Sequence, residues 1–283
     1  MQHDDTLRDN QHRQPPLKGD ELPLRVIQIT DSHLYADPEK CLAGINTQQS
    51  FTQVLDSALQ KFTKPDLILA TGDLVHDASE AGYTWMGKQF EKAGIPTHCL
   101  AGNHDDSSMM ASTMTAANIS SPKAVKRGNW LLLLLDSSLP NHPGGHLNDS
   151  ELSILQRSLE NHPNHHVLIC LHHHPVPMGS RWLDDISLDN PASLFNITDH
   201  HTNVRGVLWG HVHQHFDGER NGVKLMSTPS TCIQFTRKRD EFSIEASPPG
   251  YRWLELMPNG EITGGVERLD ELPQGLDVES SGY

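Results

Sequence analysis

The sequence has no long apolar segment. Its longest uninterrupted run of aliphatic residues is Leu131–Leu135, whereas a helix needs about 20 apolar residues to span a bilayer. The opening residues, MQHDDTLRDNQHRQPP, contain no apolar core of the kind that secretory signals have. We therefore expect a soluble protein without a membrane segment or a secretory signal.

Cysteine is scarce as well. The four cysteines are far apart and form no Cys-X-X-Cys pair: Cys41, Cys99, Cys170 and Cys232. This spacing argues against the disulfide framework of a small secreted domain, so we predict reduced thiols in a cytoplasmic protein.

The chain also has fewer basic than acidic residues. The chain has 22 Lys and Arg residues against 36 Asp and Glu, which gives a net charge of −14 at pH 7. A protein that binds the phosphate backbone of nucleic acid needs the opposite balance, so we expect no nucleic-acid partner. A small anionic substrate would also be repelled, unless bound metal ions reverse the local field.

Short apolar runs alternate with amphipathic stretches along most of the chain. The predicted strands are Arg25–Thr30, Asp66–Thr71, Thr97–Ala101, Trp130–Asp136, Val167–Leu171 and Val204–Gly210, and the predicted helices are 47–62, 79–93 and 148–160. This rhythm is typical of a layered α/β fold. Asn221-Gly222 and Asn259-Gly260 predict two later hairpins. We expect one compact two-sheet domain over residues 23–268, a flexible tail at 1–22 and a polar tail at 269–283.

Histidine, by contrast, is abundant, with 19 residues. Three of them follow the apolar run VLICL. A surface loop seldom needs three histidines at such a place, and a core cannot easily supply hydrogen-bond partners for their six ring nitrogens. Other predicted strands end in a similar way. The five strand ends are Asp31-Ser32-His33, Gly72-Asp73, Gly102-Asn103-His104-Asp105, His172-His173-His174 and Gly210-His211-Val212-His213. In open α/β sheets, ligands bind outside the carboxyl ends of the strands.

These donors indicate a metal centre. Each motif taken alone is most simply a turn, a helix cap or a surface histidine, but the ordered set after five strands is not explained that way. Carboxylate, imidazole and carboxamide donors suit Mn, Fe, Zn or Co, and seven of them are too many for one tetrahedral site. We predict two metal ions that share a bridging carboxylate, with Asp73 as the central candidate.

The spacing within the motifs carries a further prediction. Asp31 and His33, and likewise His211 and His213, are separated by one residue, and from extended backbone such side chains point the same way. The glycines within three of the motifs are expected to let the backbone turn sharply and approach closely.

The motifs ITDSH, TGDL, GNHD, HHHP and GHVH together resemble those of the calcineurin-like metallophosphoesterase superfamily. The segments LLLLDS, HHHPVPMGSRWLDD, STPSTCIQF, PGYRWLEL and SGY narrow the resemblance to bacterial 3′,5′-cyclic AMP phosphodiesterases. The resemblance implies an α/β fold, a two-sheet β-sandwich flanked by helices, with a dinuclear metal site at the carboxyl ends of the strands. It also implies hydrolysis of 3′,5′-cyclic AMP to 5′-AMP by a water that bridges the ions, loses its proton and attacks phosphorus.

The resemblance also implies a role for each residue. The first metal would be held by Asp31, His33, Asp73 and His213, and the second by Asp73 as the bridge with Asn103, His211 and His172, His173 being in reserve. His104 and Asp73 would be catalytic, with His104 protonating the 3′-oxygen. The substrate would contact His33, Asp73, Asn103, His104 and His213. Fe and Mn are the expected metals, and Zn and Co also suit these ligands.

Other functions remain open at this point. The same ligands serve enzymes that act on 2′,3′-cyclic nucleotides, nucleotide pyrophosphates or phosphomonoesters, and some proteins with this fold are non-catalytic binding modules. Many relatives carry an acid three residues after the bridging aspartate, where this chain has His76. Asp77 or Asp105 is therefore expected to orient His104. The oligomeric state is not predicted.

Two further segments are expected near the site. Residues 179–185, GSRWLDD, are expected to cover it, with Trp182 either stacking on a base or acting as a buried anchor. Residues 227–235 are expected to support the metal-binding loops from the second sheet.

Overall fold

The structure is a computed structural model, and it describes residues 22–282. Apart from its last residue, the predicted N-terminal tail lies outside the described residues. The strands are β1 Leu24–Ile29, β2 Cys41–Leu42, β3 Ile45–Asn46, β4 Leu67–Thr71, β5 Thr97–Leu100, β6 Ile119–Ser120, β7 Ala124–Arg127, β8 Trp130–Leu134, β9 His166–Cys170, β10 Val204–Trp209, β11 Phe216–Arg220, β12 Val223–Ser227, β13 Gln234–Phe235, β14 Ile244–Glu245, β15 Gly250–Leu256 and β16 Ile262–Arg268. The helices are α1 Thr47–Lys61, α2 Glu80–Ala93, α3 Ser107–Thr113, α4 Asp149–Asn161, α5 Arg181–Asp184 and α6 Pro191–Thr198.

Two six-stranded sheets carry the fold. The first has the order β16-β15-β1-β4-β5-β6 and the second the order β11-β12-β10-β9-β8-β7. In the first sheet β1, β4, β5 and β6 run parallel, β15 is antiparallel to β1, and β16 is antiparallel to β15. In the second, β8, β9, β10 and β12 run parallel between antiparallel edge strands. Parallel strands place their carboxyl ends at one edge of a sheet, which is where the predicted ligands lie.

Side chains alternate between the two faces of each sheet. Val26 of β1 joins the apolar layer between the sheets, with Leu132 of β8 and Leu208 of β10. Its neighbour Ile27 faces the opposite way and packs with Phe51 of α1. Because both faces of each sheet are covered by other parts of the protein, the strand sequences are continuous apolar runs. The two-sheet α/β sandwich with flanking helices is confirmed.

The long helices begin within one residue of their predicted starts. Asn46, Ser79 and Asn148 lie immediately before α1, α2 and α4, and each side chain accepts a hydrogen bond from a backbone N–H of the first turn. Such caps satisfy N–H groups that the helix itself leaves unpaired. For α2 and α4, the predicted first residue is the cap.

Both predicted hairpins are present. Asn221 and Gly222 form the two-residue loop between β11 and β12, and both have positive φ angles, 51° and 80°. Asn259 and Gly260 lie in the longer loop between β15 and β16. Each hairpin extends one of the two sheets, because β12 pairs with β10 and β15 pairs with β1.

The predicted C-terminal tail contacts the domain at several points. The backbone N–H of Leu269 donates to the Pro249 carbonyl at 2.9 Å, and Lys61 Nζ lies 3.3 Å from Asp270 Oδ1. The backbone N–H of Asp277 donates to the carbonyl of Ala43 at 2.9 Å, and Leu276 packs against the outer apolar layer of the second sheet. The domain boundaries at 23 and 268 stay a prediction. Across residues 22–282, no helix combines the length and the apolar character needed to cross a bilayer.

Candidate metal centre and active site

The predicted metal-binding side chains meet where the carboxyl ends of the two sheets come together. The first sheet contributes Asp31, His33, Asp73 and Asn103, and the second contributes His172, His211 and His213. All of these residues except Asn103 are fully buried. A buried group of this polarity needs partners inside the protein or a bound ion.

One group of donors surrounds the position of the first predicted metal. The Nε2 atoms of His33 and His213 are 3.1 Å apart, and His213 Nε2 is 3.5 Å from Asp31 Oδ1. His33 Nε2 is also 3.9 Å from Asp73 Oδ2. Ligands that bind zinc at about 2.0–2.1 Å lie roughly 3–3.5 Å from one another. These separations are therefore compatible with a shared ion.

A second group lies on the other side of Asp73. His172 Nε2 is 3.2 Å from Asp73 Oδ2 and 4.0 Å from Asp31 Oδ1. His211 lies against His172, with ring centroids 5.1 Å apart. The same oxygen of Asp73 thus lies near donors of both groups, which is the arrangement expected of a bridging carboxylate.

Four buried side-chain atoms of the predicted ligands have no well-formed hydrogen bond to any residue in the range 22–282. They are Asp73 Oδ2, Asn103 Oδ1, His172 Nε2 and His211 Nδ1. Leaving a buried polar atom unpaired costs about 1–3 kcal/mol. Bound cations would supply partners for these four atoms, so the donor set fits bound cations.

Hydrogen bonds behind three of the imidazoles select which nitrogen faces the centre. The Nδ1–H of His172 donates to the Thr71 carbonyl at 2.9 Å, and the Nδ1–H of His213 donates to the Ile233 carbonyl at 2.8 Å. In His211 it is Nε2–H that donates, to the Ile186 carbonyl at 3.1 Å. A ring that donates from one nitrogen has a lone pair on the other, as a metal ligand requires.

The electrostatics of the centre also favour positive charge. Burial lowers the pKa of His33 and of His211 well below the usual value, so both rings are neutral. Burial opposes protonation of His172 too, but Asp73 and Asp31 outweigh it and raise its pKa to about 9. The negative charge of the two carboxylates therefore favours a positive charge at this place.

The backbone that carries these ligands differs from the prediction. Extended backbone at the Asp-X-His and His-X-His motifs is wrong, because positive φ angles occur at Asp31 (55°), His33 (47°), Asp73 (50°), His211 (66°) and His213 (47°). The side chains still converge, since the turned backbone re-aims each of them. Such conformations cost non-glycine residues about 1–3 kcal/mol each and are often found at functional sites.

Close approach explains the glycines beside the ligands. A Cβ atom on Gly102 would lie 2.2 Å from Asp73 Oδ1 and 2.8 Å from His172 Nε2. One on Gly72, where φ is 92°, would lie 2.4 Å from His172 Nδ1. The predicted close packing at these glycines is confirmed.

Comparison with known proteins identifies the family. The model of the family described as calcineurin-like phosphoesterase matches residues 24–215. The chain belongs to the calcineurin-like phosphoesterase family. It is 40% identical to the 3′,5′-cyclic adenosine monophosphate phosphodiesterase CpdA of Escherichia coli (strain K12), over 95% of this chain and 98% of that protein. It is 37% identical to the Pseudomonas aeruginosa protein of the same name, over 91% of this chain and 94% of that one.

Solved structures agree on the fold. A dimetal phosphatase from Danio rerio superposes with a TM-score of 0.62 at 14% identity, over 86% of this chain and 98% of that one. Purple acid phosphatase PPD1 from yellow lupin gives a TM-score of 0.59 at 14% identity, over 91% of this chain and 53% of that one. Calcineurin-like phosphoesterases use a dinuclear metal site, and this chain has the matching clusters of candidate ligands.

The three consecutive histidines of this phosphoesterase have different surroundings. His172 faces Asp73, as described above. His173 bonds through Nδ1 to the Ser137 hydroxyl at 2.8 Å and through Nε2 to the Pro143 carbonyl at 3.2 Å, so both of its nitrogens have protein partners. His174 Nε2 lies 3.5 Å from Asp184 Oδ1. This pattern favours His172 over His173 as the ligand and gives His173 a role in holding the loop after β8.

His104 lies at the edge of the centre. Its backbone N–H donates to Asp73 Oδ1 at 2.9 Å, and its ring stacks on His76, with centroids 4.4 Å apart and planes 25° apart. The two candidate orienting acids both accept hydrogen bonds from neighbouring segments. Asp105 accepts from the backbone N–H groups of residues 74, 75 and 102 and from the Tyr83 hydroxyl, and Asp77 accepts from residues 36 and 79. His76 occupies the position at which many relatives carry an acid, and here its ring is the stacked neighbour of His104.

The segment after β12 supports the centre as predicted. The Ser230 hydroxyl donates to the Asp31 carbonyl at 2.7 Å, and Phe235 stacks on His213, with centroids 4.0 Å apart. Trp182 packs edge-on against Phe235 and Phe242. Of the two interpretations of Trp182, the structure favours the anchor.

A cleft of about 300 Å³ opens beside His104. It is lined by Asn103, His104, Asn141, His142, Pro143 and Ile186. Ile186 follows the GSRWLDD segment, which therefore reaches the rim of the site. A larger cavity of about 1150 Å³ lies at the opposite ends of the strands, beside Leu24 and Trp130, and contains none of the predicted ligands.

Proposed function

We propose that the protein hydrolyses 3′,5′-cyclic AMP to 5′-AMP. The observation that carries this proposal is the 40% identity, over nearly the full length of both chains, to a 3′,5′-cyclic adenosine monophosphate phosphodiesterase. The buried donor set and the adjacent cleft supply what the reaction needs.

The first ion would be held by Asp31, His33, Asp73 and His213. The second would be held by Asn103, His172 and His211, with Asp73 also contributing to it. The distances, the selected ring nitrogens and the four unpaired atoms support this assignment. Mixed nitrogen and oxygen ligation suits Fe and Mn, and it also admits Zn and Co.

The reaction exchanges one bond to phosphorus for another. The oxygen of water bonds to phosphorus, the bond from phosphorus to the ribose 3′-oxygen breaks, and that oxygen takes up a proton. When bound, the two cations stabilise negative charge on the phosphate and acidify the attacking water. Within the chain, His33, Asp73, Asn103 and His213 hold the phosphate end of the substrate in place.

His104 is the proton donor to the 3′-oxygen. Its backbone is fixed by Asp73 and its ring lines the cleft beside the ligands. A positioned general acid typically contributes 10²–10⁴-fold to a rate, so we expect His104→Ala to lower kcat by about that factor.

The test is hydrolysis by chelator-stripped protein to which Mn²⁺ or Fe²⁺ is restored, with products separated by chromatography. Bis(p-nitrophenyl) phosphate serves as a second substrate, and His200→Ala, at an exposed position just after α6, as a matched control. Metal-dependent release of 5′-AMP that is lost in His104→Ala supports the proposal. Hydrolysis of the artificial diester without cyclic AMP turnover would contradict the substrate assignment. Bound metal without any turnover would indicate a binding module.

The setting of the activity is part of the proposal. The four cysteines are free, which suits the reducing cytoplasm, and the charge of −14 suits a small cyclic nucleotide better than nucleic acid. Detection of the native protein in the periplasmic or extracellular fraction of its cells would contradict this.

A further inference from the structure

Two histidine rings share a hydrogen bond beside the metal centre. The Nδ1 atoms of His33 and His76 are 3.1 Å apart. A neutral imidazole has one N–H and one lone pair, so one of these two nitrogens carries the proton and the other accepts it.

The surroundings of His33 decide the direction. Its Nε2 atom faces His213 Nε2 at 3.1 Å and Asp73 Oδ2 at 3.9 Å. A ligating nitrogen has no proton, so the proton of neutral His33 lies on Nδ1. His33 therefore donates the hydrogen bond and His76 accepts it.

This bond completes a pattern. Metal-bound histidines nearly always donate their second ring N–H to a carboxylate, a backbone carbonyl or water, and that partner sets the tautomer and the ring angle. His172, His211 and His213 use backbone carbonyls, whereas His33 has a side-chain partner in His76.

We propose that His76 is a positioning residue for the first metal. It accepts the His33 Nδ1–H bond and so keeps His33 Nε2 aimed at the ion. The proposal rests on the proposed function only in requiring the dinuclear centre, and it does not depend on the identity of the substrate.

His76 is itself fixed in place. Its backbone N–H donates to the Leu34 carbonyl at 2.7 Å, and its ring lies between Tyr35, at a centroid distance of 4.9 Å, and His104, at 4.4 Å. The same ring therefore also braces His104 by stacking. A change of shape at residue 76 should disturb both His33 and His104, whereas loss of the acceptor alone should disturb only His33.

Two variants separate these effects. His76→Phe keeps a flat ring for stacking but removes the acceptor, and His76→Gln keeps an acceptor but loses the ring. Metal-free protein is titrated with Co²⁺ and followed by calorimetry and by visible absorption, with His200→Phe as the control. Thermal melts of the metal-free proteins establish that the variants fold.

We expect His76→Phe to bind one of the two Co²⁺ ions about 10–100-fold more weakly, with an altered absorption spectrum for that ion. His76→Gln should recover most of the affinity while still lowering kcat. Two normal Co²⁺ affinities in His76→Phe would overturn the proposal. So would a third Co²⁺ equivalent in the wild type that His76→Phe loses, because the cluster of His33, His76 and His104 would then hold an ion itself.

The metal titration also separates this proposal from the one on catalysis. If the wild type binds two ions but does not hydrolyse cyclic AMP, the substrate assignment fails, and weakened binding in His76→Phe still supports the role of His76.

Discussion

Adjacent residues in this site have different roles, as the run of three histidines shows. His172 directs Nε2 at Asp73, His173 is bonded on both sides by Ser137 and Pro143, and His174 lies near Asp184. The run follows a buried strand, so all three rings are buried and each needs partners. His173 thus fixes the loop that carries Ser137 and Pro143.

At the same scale, Gly102 is a sharp test of the packing. The added methyl group of Gly102→Ala would overlap Asp73 Oδ1 and His172 Nε2, and overpacking of this kind costs about 1–3 kcal/mol. We expect loss of stability together with a loss of bound metal, measured by urea denaturation and elemental analysis.

Gly87→Ala is the matched control for that substitution. Gly87 lies inside helix α2, and the Cβ atom of an alanine there would lie 3.6 Å from Met114 Cγ, an ordinary van der Waals distance. The change should therefore be neutral or stabilise the protein by up to about 1 kcal/mol. Equal behaviour of the two variants would contradict the packing argument.

The sequence predicted which residue types form the site better than how they are held. The sequence was sufficient to predict Asp31, Asp73 and His211 as site residues, because each follows an apolar run in a recognisable motif. The left-handed backbone of these residues could not be predicted, because it depends on hydrogen bonds between distant segments. One example is the bond from the Asp31 N–H to the Gly72 carbonyl at 3.0 Å. The contact of His76 with His33 joins two strand ends and was hidden for the same reason.

At the scale of elements, local signals set the long helices. Asn148 accepts hydrogen bonds from the backbone N–H groups of Ser150 and Glu151, both at 3.0 Å, at the start of α4. We expect Asn148→Ala to reduce the free energy of unfolding by about 1 kcal/mol, measured by urea denaturation.

Asn148→Asp should retain most of the stability, because aspartate caps equally well. Catalysis should be unchanged in both variants, since α4 packs its Leu155 and Leu159 on the outer side of the second sheet. A loss in Asn148→Asp as large as that in Asn148→Ala would contradict the capping role.

Short elements escaped prediction because they depend on partners far along the chain. β6 has two residues and gains its place by pairing with β5. The four-residue helix α5 lies over the second sheet, where Trp182 joins the cluster of Phe235 and Phe242. Neither has a periodic pattern long enough to indicate its structure from the sequence.

For the whole molecule, the metal ions should act as stabilising ligands. A ligand present at 1,000 times its Kd contributes about 4 kcal/mol to the stability of the folded state. We therefore expect chelation to lower the Tm by several degrees and added Mn²⁺ to restore it, measured by scanning calorimetry.

Asp73→Asn provides the control for that measurement. It removes the charge shared by both groups of ligands, so its Tm should respond little to chelator. An equal response in this variant and the wild type would show that the stabilising ions bind elsewhere.

The order of strands in the first sheet has a consequence for synthesis. β1 leaves the ribosome first, yet its place is between β4 and β15, and β15 spans residues 250–256. While the chain is being made, one edge of β1 has no strand of its own chain to pair with until nearly nine-tenths of the sequence exists. A nascent chain that stops at residue 249 contains every predicted ligand and still lacks the strand that closes that edge.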